Sequence, residues 1–222
     1  QNMEAYERGL VEFDDAAQQF RKVAQFEVNA PAFPRGQTHI RSEGGREYVY
    51  FCEPYPQTRV EADPERMRDP AAYECYTCLK EGTTVRQGEL DRAPDGSLRY
   101  SWKRNTPALG PRDQAELIKA GKLRAEEALL HLQDADSGKA VQAHTGSVYW
   151  NAYRRRWVAI ISEVWGTSML GEVWYAEADT PLGPWVYARK VVTHDRYSFY
   201  NPKQHPFFDQ EGGRLIYFEG TY

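Results

Sequence analysis

The segment His39-Ile-Arg-Ser-Glu-Gly-Gly-Arg-Glu-Tyr-Val-Tyr-Phe-Cys-Glu53 returns late in the chain as His205-Pro-Phe-Phe-Asp-Gln-Glu-Gly-Gly-Arg-Leu-Ile-Tyr-Phe-Glu219. Each copy begins with His, turns at Gly-Gly-Arg, runs through Tyr-Phe and reaches Glu at the same distance from the His. A looser copy leads from His144 through the Tyr153-Arg-Arg-Arg156 turn to Ile160-Ile-Ser-Glu163. A repeat constrains a fold more than any single element does, because each copy is one supersecondary unit that must bury its apolar face against its neighbours.

The unit is read from period and punctuation. Short β-branched and aromatic runs separated by Gly, Asp and Pro place strands at 9–13, 20–26, 38–41, 48–52, 73–79, 98–104, 147–150, 157–162, 172–176, 185–192, 206–208 and 214–218. Aromatic residues make up 14% of the chain, which suits sheets and argues against a mostly helical fold. Between copies of the repeat lie two further strands, so the unit is a four-stranded meander of about 40 to 50 residues, the size of a β-propeller blade. The fold expected is therefore all-β, a propeller of about three blades filling residues 1–222 as one domain. Two interruptions stand out. Residues 111–134 hold Asp113-Gln-Ala-Glu-Leu-Ile-Lys-Ala and Arg124-Ala-Glu-Glu-Ala-Leu-Leu-His-Leu, good helix formers split by Gly121, and predict a two-helix insert. The proline-rich 54–70 stretch reads as an ordered surface loop.

Blade counting gives an outer half-blade at about 6–26, two whole blades and an inner half-blade at about 201–222. A closed propeller takes at least about four blades, and an open ring leaves strand edges that invite association. The sequence is then either an excerpt of a longer propeller or a homodimer in which each terminal half-blade pairs with the partner's, closing a six-bladed ring.

Charge removes other classes. With 28 basic against 32 acidic residues and a net charge of -4, the chain has no footprint for a polyanion, so no nucleic-acid partner is expected. No apolar run approaches the roughly 18 residues of a membrane span. The opening QNMEAYERG lacks a basic segment followed by an apolar one, so no signal peptide is expected there, and no compartment is assigned. Cys52, Cys75 and Cys78 are too few for a disulfide framework, and Cys75 and Cys78 on one strand point to opposite faces, so packing is their expected role. Cys52 is a poor nucleophile candidate, since nothing around it lowers a thiol pKa.

The segment Gly171-Glu-Val-Trp-Tyr-Ala-Glu-Ala-Asp-Thr-Pro-Leu-Gly-Pro-Trp185 resembles the third and fourth blade strands of glycosidase-type β-propellers, the arabinanase, xylosidase and fructosidase-like group. That resemblance implies an Asp base, a second Asp and a Glu acid on inner strands around an axis. No inner strand here carries the Asp, and Glu219 in Phe218-Glu-Gly-Thr is the residue resembling the acid's setting. Three functions follow. The first is a glycosidase-like hydrolase acting on a carbohydrate or similarly polar substrate, with Glu53, Glu219 and Glu163 as catalytic candidates and Asp195 as a second choice. In it Trp165, Tyr197, Tyr200 and Asn201 serve stacking and hydroxyl recognition. The second is a metal-dependent hydrolase or lyase. In that reading His39, His144 and His205, converging from successive inner strands, hold a divalent ion such as zinc, manganese or calcium, and the Glu residues assist. The third is a non-catalytic sugar-binding propeller.

Overall fold

The computed structural model describes residues 4–221. β1 (Arg8–Asp14) and β2 (Gln19–Phe26) form an antiparallel pair turned by Asp14, whose Oδ1 accepts the Ala16 and Ala17 N–H groups at 3.0 Å. β3 (Gln37–Glu43), β4 (Arg46–Cys52), β5 (Pro56–Glu61), β6 (Glu74–Thr77) and β7 (Ser101–Lys103) make a five-stranded sheet in that order. Gly44 and Gly45 close the β3–β4 hairpin at φ 59 and 80, left-handed values that a two-residue turn needs at both positions. Between β5 and β6, the short helix α1 (Pro64–Arg68) starts where Asp63 Oδ1 accepts from Glu65 and Arg66 N–H. α2 (Pro111–Lys119) follows, with Asp113 reaching back to the Gly110 N–H at 2.9 Å.

The second five-stranded sheet holds β8 (Leu130–Asp134), β9 (Ala143–Asn151), β10 (Arg156–Glu163), β11 (Glu172–Ala178) and β12 (Trp185–Thr193) in the order β8-β12-β11-β10-β9. β9 to β12 are an antiparallel meander, and β8 joins β12 in parallel. β13 (Tyr200–Gln204) and β14 (Phe218–Thr221) form a last antiparallel pair. The chain is mostly β, in several sheets, none of them closed among the described residues.

Contacts group the chain into two compact units. Unit 1 holds the described residues up to Pro34, His39–Tyr50 and Thr58–Ala108; unit 2 holds Arg35–Thr38, Phe51–Gln57 and the chain from Leu109 onward. Unit 1 centres on Phe26, whose ring meets Phe33 and Tyr73 edge-on at 5.1 and 5.2 Å, with Val60, Cys75 and Leu79 buried. In unit 2 the alternation along β10 sends Ala159 and Ile161 into a cluster with Leu132, Val148, Trp174 and Trp185. Val158 and Ile160 join Val173, Phe199 and Phe218 in a second cluster. β10 and β11 are therefore buried on both faces, which accounts for their long apolar runs. No helix among the described residues is long and apolar enough to cross a membrane.

Three expectations are corrected. The 54–70 stretch is not all loop: Pro56 takes the first place of β5, where a strand tolerates its missing N–H, and β5 lies mid-sheet with Val60 buried. The two-helix insert is one helix. Beyond α2 only Ala125–Glu127 turns, as a single 3-10 turn, and Leu130–Asp134 extends as β8. Pairing with β12 and the inward Leu130 and Leu132 outweigh helix propensity, and Gln114 of α2 secures the switch by accepting the Leu130 N–H at 3.0 Å. Finally, 206–208 is a 3-10 turn begun by Pro206, while the strand lies earlier, at β13. Cys52, Cys75 and Cys78 are buried thiols, as their expected packing role requires.

Candidate functional site

A cleft of about 330 Å³ in unit 2 is lined by Gly36 and Gln37, by Cys52 and Glu53, by Thr145 and Gly146 of β9, and by Tyr200 and Asn201 of β13. Its floor is backbone. A Cβ at Gly36, which sits at φ +84, would land on the Cys52 carbonyl oxygen, and one at Gly146 would land on that of Ile160, so only glycine lets these segments approach so closely. Cys52 contributes bulk and no chemistry, because burial pushes its thiol pKa up.

The polar groups stand around that floor. Glu53 directs Oε2 at the Arg35 Nε, 3.0 Å away, and keeps about a third of its side chain exposed, at 34%. The His144 ring lies 5.9 Å from that of Tyr200, with Nδ1 3.3 Å from Thr145 Oγ1. Burial lowers the pKa of His144, and the Glu53 charge pulls the other way, so the carboxylate and imidazole are within electrostatic reach. Asn201 takes a left-handed φ of 52, a conformation asparagine tolerates better than most residues.

Glu163 belongs to the same strand end, for it pairs with Ala143, the neighbour of His144. Its Oε2 accepts the Trp174 Nε1–H at 2.8 Å, and burial, reinforced by the Glu172 charge, raises its pKa. Glu172, directly across the β10–β11 ladder, is a buried carboxylate with a side chain 1% exposed. It accepts the Thr167 N–H at 2.8 and 2.9 Å, the Thr167 hydroxyl, and the Thr193 hydroxyl at 3.3 Å. Gly166 fits between the two carboxylates because any side chain there would strike Glu172. That loop carries Trp165, exposed and at φ 62, and Ser168 donates to the Tyr197 carbonyl at 2.8 Å.

The structure thus brings Glu53, Tyr200 and Asn201 into one cleft, sets His144 against Tyr200, and places Trp165 and Tyr197 on adjoining exposed loops. Glu219, on β14, is largely exposed and holds His205 Nε2 at 3.0 Å. His205 lies just past β13 rather than at the start of a strand. His39 lies within β3 in unit 1, stacked on Tyr50 at 5.4 Å and 12°. Asp195 is 3.7 Å from His194 in an exposed turn. Among the described residues no group of three or more His, Cys, Asp or Glu side chains is placed to hold a metal ion. Sequence reasoning missed Arg35, the two floor glycines and Glu172. The Pro34-Arg-Gly-Gln37 turn was a local signal for Arg35 and Gly36, whereas Glu172 shows its role only through the ladder opposite Glu163.

No protein-family model and no curated protein matches the chain. Solved structures do match, among them one described as a "putative exo-beta-1,3-galactanase from Bifidobacterium bifidum s17", at 14% identity and a TM-score of 0.33. The match covers 81% of this chain and 46% of that one, so the chain spans about half its length. A likeness that slight carries no argument, and the function rests on the cleft.

Proposed function

We propose that this chain is a carbohydrate-acting hydrolase built on propeller-type blades, with the Glu53 cleft as the sugar site. The observation that carries the reading is the convergence of Glu53, Tyr200 and Asn201 on one cleft, with His144 against the tyrosine ring. A carboxylate, a flat ring and an amide are the groups that a sugar's acetal, apolar face and hydroxyls require. Glycoside cleavage needs one carboxyl that holds a proton and one that has lost it. Glu163, whose pKa burial raises, suits the first task, and Glu53, facing the Arg35 guanidinium, suits the second. In that division Glu163 protonates the departing glycosidic oxygen while Glu53 takes the proton of the attacking water. Glu219, paired with His205 and open to water, is the alternative acid.

The test is hydrolysis of 4-nitrophenyl galactosides, arabinofuranosides and xylosides. Glu53→Gln should lower kcat by about 100-fold or more, and Glu163→Gln should remove the decline in rate that deprotonation of the acid causes as pH rises. Full activity in Glu53→Gln would overturn the reading. Loss of activity on chelation, restored by zinc, manganese or calcium, would transfer it to the histidines. Binding without turnover would make the chain a sugar-binding module.

A further inference from the structure

A second cleft, of about 780 Å³, belongs wholly to unit 1 and lies along β7, which ends its sheet and so keeps one edge unpaired among the described residues. Its walls combine two features. Tyr100 and Trp102 provide aromatic surface, Tyr100 being fixed by stacking on Tyr76 at 5.7 Å and 20°, and Trp102 by the Arg59 guanidinium 4.1 Å from its ring centre. Three carboxylates and three cations, with Leu98 and Ser101, complete the lining, and most of the charges are already matched to one another. Asp91 takes Arg99 at 2.5 Å and the buried Lys103 at 2.9 Å, and Lys103 also donates to the Leu79 carbonyl at 2.6 Å. These partners hold the Asp91 carboxyl below the usual range. Glu74 holds Arg59 at 3.0 Å, with Arg104 at 3.8 Å.

At Asp91, Arg99 and Lys103 that arrangement selects against ions. An anionic ligand would have to compete with Asp91 for Arg99 and Lys103, and a cation with those same groups for Asp91, each at the cost of a made pair. A hydroxyl both donates and accepts, so it bonds to either member of a pair without separating them. Together with aromatic walls and an unpaired strand edge, the chemistry matched is that of a neutral, polyhydroxylated ring compound. We infer that the β7 cleft binds a neutral oligosaccharide, as a site that needs no carboxylate for catalysis and stands independently of the hydrolase reading.

Titrations of the isotopically labelled chain with xylotriose, galactotriose and trigalacturonic acid, followed at the backbone amides, test this. The neutral trisaccharides should shift the amides of residues 98–104. Tyr100→Ala should weaken that binding by at least about tenfold, Arg104→Gln should weaken it less, and Tyr100→Phe, which keeps the stacked ring, should retain most of it. Glu53→Gln should leave it unchanged, which separates this site from the hydrolytic one. The inference is overturned if no neutral trisaccharide moves those amides at about 10 mM. It is equally overturned if folded Tyr100→Ala binds as tightly as the parent, or if the acidic trimer binds more tightly than the neutral ones.

Discussion

Histidines at repeated positions do different work, and His39 shows how the surroundings decide. In the sequence it is one of three equivalent imidazoles; in the fold it is stacked on Tyr50 and burial, with the Arg41 charge, lowers its pKa from 6.5 to about 4. The neutral ring is favoured in the folded chain, so its contribution to stability is complete above pH 6.5 and is lost as pH falls from there through about 4. The loss should be on the order of 3 kcal/mol at about 1.4 kcal/mol per unit. Urea denaturation midpoints at pH 7, 5 and 4 check this: His39→Phe should flatten the acid limb, and parallel loss in parent and variant would show that other groups control it. His205 differs again, holding Glu219 through Nε2 while its ring meets those of Phe207 and Phe208. A shared letter in a repeat therefore carries no shared chemistry until its neighbours are known.

Among the elements, the loop from 164 to 171 depends most on a single group. Thr167 is fastened to Glu172 by backbone and hydroxyl, and Glu172 is also the charge across the ladder that helps to raise the pKa of Glu163. Glu172→Ala leaves the Thr167 N–H and the Thr193 hydroxyl without that acceptor, which should cost about 3 kcal/mol and speed amide exchange across 164–171. Exchange in the loop unchanged from the parent would refute the anchoring role. Most strands of the two larger sheets were legible in the sequence because they are short β-branched and aromatic runs bounded by turn residues, as in Trp157-Val-Ala-Ile-Ile-Ser162. β5 was hidden by its prolines, and β8 by the helix-forming Ala, Glu and Leu residues before and within it, since strand pairing through β12 is a distant event that local propensity does not record. The site was legible to a similar degree. Glu53, His144, Tyr200 and Asn201 were visible as residue types near strand ends, but Arg35 and Glu172 acquire meaning only from partners brought to them by the fold.

For the whole molecule, the strands fall into two five-stranded sheets and the two-stranded pairs β1–β2 and β13–β14. Both pairs have large apolar side chains near them that face water: Phe13 and Phe20 on the first, Phe207, Phe208 and Tyr217 around the second. Exposed aromatics beside short sheets favour association. Light scattering should accordingly give the mass of two chains, and Phe20→Ser or Phe207→Ser should halve it. A parent chain that scatters as a monomer at every concentration would remove the ring-closing dimer.

The Glu53 cleft has a further property at this scale. Because a Cβ at Gly36 or Gly146 would collide with a carbonyl oxygen, the main-chain path at these two lining positions admits glycine alone. Selection or a designer can redraw its lining through Gln37, Thr145, Tyr200 and Asn201, changing what the cleft admits, whereas Gly36 and Gly146 are closed to other residues. Descendants of this chain should thus vary far more readily at those lining side chains than at the two glycines.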